Sequence, residues 1–459
     1  TIAGSGGSRP KISTNRLANH SWIGTTGAAD TYVLRRVDWL IETDELIQVA
    51  APNNGGGNST LALVASAYNV IAVGRSDGQH QLGSVALDST YATGRVRPEI
   101  VVPAESTSNA APRVSAAAAL LVETGHATPC PPTDPVSVGM TTRGGVLVCN
   151  AERSEVIKAA LMAGADRVTR NSAPDPTNLA RYRDTVLNQT VNGLDRRYGA
   201  GQLNIRNSYW IITGGEQSST EDGNAGANVA SRGFDYDPNF GGLSGGNTTA
   251  TYPLPIQTYP ALLTASLVWN LDITGGTNIN NFNPAATLRN LDVALIDLAN
   301  GNAVVASSAS ALDNTENLWV VVPANARYAL QVTRTGSFTW DYGLAWQLLK
   351  DTDADGAYDD QDNCINVANG PLLTDAGGNS QLDADADGYG NVCDADLDNS
   401  GLVTTVDYSM LRSVFGNAAT ASPLAAAADL NGSGLVNTVD YSIFRTLINQ
   451  PPGPSGLQP

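Results

Sequence analysis

Apolar positions along the chain follow three successive rhythms. Up to about residue 211, helical and strand spacing alternate. Val33, Leu34, Val37, Leu40 and Ile41 recur at helical spacing over 32–42. Short apolar runs at 46–51 and 69–74 read as strands, and the stretches 112–123 and 153–164 as helices. Strands separated by helices predict a mostly parallel sheet. From about 212 to 349 the rhythm changes. The Gly-, Asn-, Ser- and Thr-rich stretch 214–250 reads as a long polar loop. β-type runs at 262–269, 291–298, 318–322, 328–333 and 342–348, parted by turn residues such as Asn300-Gly301, predict an antiparallel sandwich. Beyond 351 the pattern repeats. GLVTTVDYSMLRSVF at 401–415 returns as GLVNTVDYSIFRTLI at 434–448, 33 residues on. The Pro/Gly-rich 450–459 reads as a mobile tail.

Charge changes this picture at one place. The net charge is −18, from 26 Lys and Arg against 44 Asp and Glu, which excludes a basic nucleic-acid binder. Fourteen Asp lie between Asp351 and Asp407, with no Glu, Lys or Arg among them. Such a run is unlike a mixed acidic tail and calls for a counter-ion. A hydrophobic content of 42% excludes global disorder, and no apolar run approaches the ~18 residues of a membrane span. The sequence starts without Met or a signal peptide, so a chain that begins after processing or truncation is expected.

The aspartates have a register. An EF-hand-type loop needs oxygen ligands at positions 1, 3, 5 and 12, a carbonyl at 7 and Gly at 6. Four stretches fit. The first has Asp351, Asp353, Asp355, Gly356, Ala357 and Asp362; the second has Asp383, Asp385, Asp387, Gly388, Tyr389 and Asp394. The third has Asp396, Asp398, Ser400, Gly401, Leu402 and Asp407; the fourth has Asp429, Asn431, Ser433, Gly434, Leu435 and Asp440. Without a divalent cation these carboxylates would repel one another. Hard oxygen ligands in flexible loops favour Ca²⁺, and several ions are expected. The alternative is a solvated acidic linker.

The first two loops, with Asp-Asn-Cys at 362–364 and Asn-Val-Cys-Asp at 391–394, resemble thrombospondin type 3 repeats. The last two, each followed by an apolar helix, resemble a dockerin type I module. That resemblance implies a cohesin-like partner bound through the helix faces 408–415 and 441–448. The equivalent specificity pairs, Thr405-Val406 and Thr438-Val439, depart from the familiar Ser-Thr. The alternative is an end cap without a partner.

Residues 97–120 carry a different chemistry. Ser106-Thr107-Ser108-Asn109-Ala110-Ala111-Pro112 resembles the nucleophile motif Gly-Thr-Ser-x-Ala-x-Pro of the subtilisin-like serine proteases. The match implies Ser108 as nucleophile at a helix N-terminus, where a partial positive charge favours a developing alkoxide. Ser106 replaces the usual Gly, a change expected to strain the turn. Residues 48–55 (QVAAPNNG) resemble the strand end Ala-Ala-Gly-Asn-x-Gly, which implies Asn53 as oxyanion donor; such an amide contributes about 3 kcal/mol in subtilisin itself. Residues 19–24 (NHSWIG) resemble the segment that pairs with substrate as an added strand, implying Ser21, Trp22, Ile23 and Gly24 as substrate-binding. RYGAGQLN at 197–204 resembles the family's closing stretch.

A serine needs a base. The family takes its Asp and His from motifs upstream of these. None of His20, His80 and His126 precedes Gly-Thr, and Asp38 and Asp44 flank a helix. All three His read as non-catalytic. Two readings follow. The chain is a fragment or processed form of a protease whose missing N-terminal half supplies Asp and His, acting on peptides or proteins. Or it is a degenerate subtilase fold kept as a non-catalytic extracellular scaffold.

Residues from about 230 to 349 resemble the C-terminal β-sandwich of some secreted subtilases. Asp292, Asp313 and Glu316 there are candidates for another Ca²⁺ site, ordinary loop acids being the alternative. Trp269, Trp319, Trp340 and Trp346 read as core rather than a sugar platform. Cys130 and Cys149 bracket an insertion that is Pro-rich at its start. Two disulfides, Cys130–Cys149 and Cys364–Cys393, would use all four cysteines and place the protein outside the cell or at its surface.

The expectation is a multidomain chain. A partial α/β subtilisin-like domain with a parallel sheet (1–211) precedes an antiparallel, jelly-roll-like β-sandwich (212–349). Thrombospondin type 3-like calcium repeats (351–395), a small α dockerin-like module (396–449) and a flexible tail (450–459) follow.

Overall fold

The computed structural model describes residues 7–24, 30–131, 139–167, 179, 182–221, 227–242, 246–275 and 282–457. The Pro-rich start of the insertion after Cys130 lies largely outside them. The chain forms two compact units. One comprises Thr1–Ile256, Leu263–Val320 and Ala326–Leu348; the other comprises Gln257–Leu262, Val321–Asn325 and Leu349–Pro459.

The first unit begins with a parallel sheet of β1 (Leu17–His20), β2 (Ile47–Ala50), β3 (Ile71–Arg75) and β4 (Ile100–Val102), in that order. β1 is the edge strand of this sheet among the described residues, hydrogen-bonded to β2. Helix α1 (Asp30–Asp44) covers one face, setting Leu34, Val37, Leu40 and Ile41 against Tyr68 and Tyr91. α2 (Thr107–Gly125), α3 (Ser154–Ala163) and α4 (Ile205–Thr213) cover the other. α3 is buried along its whole length, so it is apolar on every side except where Glu155 and Lys158 find partners. Lys158 donates to the Tyr68 and Val70 carbonyls and pairs with Glu99 at 2.5 Å, and Arg97 reaches Glu99 at 3.2 Å. Between α2 and α3 lie the two-residue strands β5 (Met140–Thr141) and β6 (Leu147–Val148).

The sandwich follows. β7 (Thr220–Glu221), β8 (Arg232–Phe240), β9 (Thr249–Pro253), β10 (Ala261–Val268), β11 (Asp272–Thr274) and β12 (Ala285–Thr287) precede β13 (Leu291–Asp297), β14 (Ala303–Ser308), β15 (Thr315–Val322), β16 (Tyr328–Arg334) and β17 (Trp340–Lys350). One sheet runs β15-β10-β17-β8 and the other β14-β13-β16-β9-β7. They meet where Tyr252 of β9 packs on Trp346 of β17 and shares a hydroxyl hydrogen bond with Tyr342. The first sheet is buried on both faces, because its far side packs on α3 and α4 through Phe234, Tyr236, Val268 and Ala345. The core is therefore continuous across the boundary expected at 211/212.

Two expectations change and one is met in part. The polar stretch 214–250 is not one loop: β8 pairs with β17, burying Phe234, Tyr236 and Phe240. Its Gly, Asp and Asn content hid a period of two that only the long-range pairing satisfies. Trp269 and Trp346 are wholly buried, as core packing requires. Asp292, Asp313 and Glu316 do not form a metal cluster among the described residues. Asp313 instead accepts the Val96 N–H and the Ser310 hydroxyl, latching the sandwich to the α/β layer.

Glu316 is fully buried, accepting from the Ser310 N–H and the Ser308 hydroxyl. Burial, then Asp313 and Asp292, push its carboxyl up to about 9. The folded chain keeps a proton that the unfolded chain releases near 4.5. This contribution to stability is therefore complete at low pH and falls as pH rises from about 4.5 to about 9. Glu316→Gln cannot ionise. Its melting temperature relative to the parent is expected to rise between pH 5 and pH 9, as thermal scans at both would show.

Candidate functional site

Ser106 has extended backbone (φ −151°, ψ 160°), open to any residue, so the strain expected from replacing Gly is absent. Its hydroxyl instead caps α2 by accepting the Asn109 N–H at 3.2 Å. Ser108 is thereby placed in the first turn, half-buried, where unpaired N–H groups point at incoming negative charge.

The structure brings Ser108 against the end of β1. Ser108 Oγ donates to the Ser21 carbonyl at 3.0 Å, and Ser21 Oγ donates back to the Ser108 carbonyl at 3.1 Å. Asn19 donates to Ser21 Oγ and accepts from Ser115 of α2, so one polar chain fixes both elements. Trp22 and Ile23 project into solvent, 50% and 39% exposed, and the Gly24 carbonyl accepts the Leu63 N–H.

Asn53 follows β2 by three residues, but its amide donates to the Thr60 carbonyl at 3.2 Å. Its neighbour Asn54, which sequence reasoning missed, reaches the nucleophile helix. Asn54 Oδ1 accepts the Thr107 N–H at 2.8 Å and the Thr107 hydroxyl at 3.0 Å. The signal was the doubled Asn, of which the motif uses one.

No described histidine or carboxylate hydrogen-bonds Ser108 Oγ. His80 accepts the Arg75 N–H at Nδ1 and donates from Nε2 to the Arg197 carbonyl; burial lowers it to about 4. His126 pairs with Glu152. His20 packs on Trp22, and burial lowers its pKa.

In the second unit the four loops share one backbone. Position 4 is left-handed in each: Ala354, Ala386, Asn399 and Gly432 have φ of 61, 62, 53 and 64°. Position 6 follows at φ of 90, 93, 87 and 91° for Gly356, Gly388, Gly401 and Gly434, a region L side chains rarely adopt. At every loop the position-6 N–H donates to the position-1 carboxylate of Asp351, Asp383, Asp396 or Asp429. Ligand oxygens lie within 4.8 Å of one another in Asp351/Asp353/Asp355, Asp383/Asp385/Asp387 and Asp396/Asp398/Asp407.

The short Asp at position 12 has a local reason. Asp407 and Asp440 occupy the third position of helices α5 (Thr405–Ser413) and α7 (Thr438–Leu447), where each accepts the N-cap N–H of Thr404 or Asn437. Each also accepts the position-3 N–H of its loop, from Asp398 or Asn431. α6 (Pro423–Ala428) completes a small core of Val403, Leu411, Leu430, Val436 and Phe444.

A cation fits these loops. Asp351 Oδ1 and Asp353 Oδ2 are buried without a hydrogen-bond partner. Burial, then Asp355 and Asp362, push Asp353 up to about 7; burial, then Asp387 and Asp385, push Asp394 there as well. The donors are hard oxygens throughout, the set that Ca²⁺ prefers.

The boundary expected at 395/396 falls inside this unit, since Asn391 donates to the Ala426 and Asp429 carbonyls. The tail, read as mobile from its composition, makes hydrogen bonds to the loops at residues 453–456. Gly453 and Gly456 donate to the Cys393 and Asp362 carbonyls, Ser455 donates to the Gly388 carbonyl, and Pro454 accepts the Ile365 N–H. Pro and Gly leave the backbone free to follow the loops. All four cysteines are paired, Cys130 with Cys149 and Cys364 with Cys393.

The ordered strands, capped helix and serine agree with the comparison to known families: residues 5–201 match the subtilase family. That stretch is a subtilase-like domain. No curated protein matches the chain. Among solved structures, the pre-peptidase C-terminal domain of a collagenase from Bacillus anthracis is similar over 26% of this chain and 92% of its own, at 12% identity and a TM-score of 0.19. Tripeptidyl peptidase 2 is similar over 74% of this chain and 35% of its own, at 10% identity and a TM-score of 0.25. Both scores are too low to define a shared fold. No helix of the described residues is long and apolar enough to cross a membrane.

Replacing Asn54 with Ala removes the acceptor for the Thr107 N–H. Asn54→Ala is expected to lower unfolding free energy by about 1 kcal/mol. Asn53→Ala should cost less than half of that. Urea melts of the two variants would check the order.

Proposed function

We propose that the chain is the catalytic-serine part of a secreted, calcium-stabilised subtilisin-like endopeptidase with C-terminal anchoring modules. The observation that carries it is Ser108 in the first turn of a capped helix, locked to the segment 21–24. Ser108 would attack the scissile carbonyl. The oxyanion would draw on the Asn53 amide, released from Thr60, and on the helix N-terminus. The substrate backbone would lie along Ser21 to Gly24, where exposed Trp22 and Ile23 support a docking role. The general base, an Asp-oriented His, would come from residues other than those described.

The alternative is a non-catalytic extracellular scaffold. The Ser108 hydroxyl, satisfied by a carbonyl rather than a base, favours it. A fluorophosphonate probe separates the two. The chain by itself should label only at background. Joined to whatever coding sequence precedes Thr1, it should label at Ser108 and lose the label in Ser108→Ala. An extended protein that stays unlabelled favours the scaffold.

Ca²⁺ would be held by the four loops through their aspartates, with Asn431, Ser400 and Ser433, and the carbonyls of Ala357, Tyr389, Leu402 and Leu435. The dockerin-like helices support a cohesin-like partner by their exposed faces. Val406 and Val439 are 53% and 49% exposed, and Tyr408 packs against Tyr441 across the internal repeat. Disulfides support a location outside the cell.

Chelation is expected to unfold 351–449 while the sandwich persists, seen as lost helical circular dichroism with strand signal retained; an unchanged spectrum would count against calcium. Gly434→Ala forces a side chain into the left-handed turn although nothing crowds the site. It should raise the calcium needed for half-recovery by about fivefold, a strain of about 1 kcal/mol.

A further inference from the structure

Between the segments 82–84 and 94–97 lies a cavity of about 280 Å³. Leu61 and Leu82 give it apolar walls, and Ser84, Arg95, Arg97 and Arg196 complete the lining. It is tied to the candidate active site through one side chain. Gln81 Oε1 accepts the Ala62 N–H and, at 3.5 Å, the Asn53 N–H, while Gln81 Nε2 donates to the Gly83 carbonyl.

Three features of the lining point the same way. Ser84 is only 6% exposed, yet its hydroxyl has no hydrogen-bond partner. Arg95 is 1% exposed and forms no ion pair among the described residues. Its guanidinium is answered only by the Ala92, Ser66 and Val85 carbonyls and by the faces of Tyr68 and Tyr91. Asp38 and Asp313 attract it from further off, but no carboxylate meets the guanidinium directly among the described residues, so this wall favours an anion. Arg97 next to it has Glu99, but Arg196 at the rim is exposed and unpaired among the described residues. A partnerless hydroxyl inside, a wall guanidinium that no carboxylate meets directly and an exposed guanidinium at the mouth together favour an anion of small size, with apolar contact beside it.

We propose that this cavity is a carboxylate subsite. It receives the acidic side chain or the C-terminal carboxylate of a peptide, with Arg196 making the charge-assisted contact and Ser84 donating from within. That the anion belongs to a peptide rests on the peptidase reading; the carboxylate chemistry does not.

The test is direct binding to the full chain by calorimetry, without turnover, using three probes. Acetyl-Ala-Ala-Glu-amide carries a side-chain carboxylate, acetyl-Ala-Ala-Ala-OH a terminal one, and acetyl-Ala-Ala-Ala-amide none. One of the first two should bind at least tenfold tighter than the third, and which one does so identifies the source. Arg196→Ala should weaken that probe about tenfold, Arg196→Lys should restore part of it, and Ser84→Ala should weaken it less. The neutral probe should not respond to any of the three. Equal affinity for all probes, no binding by any, or indifference to Arg196→Ala overturns the proposal. Fluorophosphonate labelling of Ser108 reports on the peptidase reading separately, so either idea can fail without the other.

Discussion

A charge taken out of water must be given a partner, and this chain is organised by where that is and is not done. In the α/β layer it is done at Glu99 and at Asp38. Glu99 sits between Arg97 and Lys158 and also accepts the Ala72 N–H. Asp38, fully buried, takes the N–H groups of Tyr68 and Asn69 and the Tyr91 hydroxyl. Such groups tie β3 and its flanking segments to helices α1 and α3, beyond what apolar contact alone specifies. Two places break the pattern, with opposite signs. The acidic loops gather carboxylates whose oxygens lie within 4.8 Å, and Arg95, Arg97 and Arg196 gather around one cavity. The two proposed ligands, a cation for the loops and an anion for the cavity, would each answer the charge gathered there.

The acidic loops were legible in the sequence because their chemistry is local. Ligands at alternate residues and a glycine one step later need only a dozen consecutive positions. The left-handed residue at position 4 was not legible. Ala, Ala, Asn and Gly share no side-chain feature there, and the conformation is imposed by the N–H groups turning toward the first aspartate. The α/β layer was legible for a similar reason, since helical and strand periods are short-range properties.

What stayed hidden depends on distant partners. β8 is polar at every second position and acquires its identity from β17, about 100 residues later. The choice between Asn53 and Asn54 also needs the fold. Only the position of Thr107 shows which amide holds the helix and which is left near the turn. Ser106 likewise reads as a defect in a motif until its hydroxyl is seen capping α2.

The threading of residues 453–456 over the loops has a mechanical consequence. Their backbone grips the carbonyls of Asp362 and Cys393, and Ser455 grips that of Gly388. Tension applied at this end of the polypeptide would therefore load the first two loops and the Cys364–Cys393 staple. It would peel main-chain bonds one after another, as a zipper opens, before the duplicated helices bore any strain.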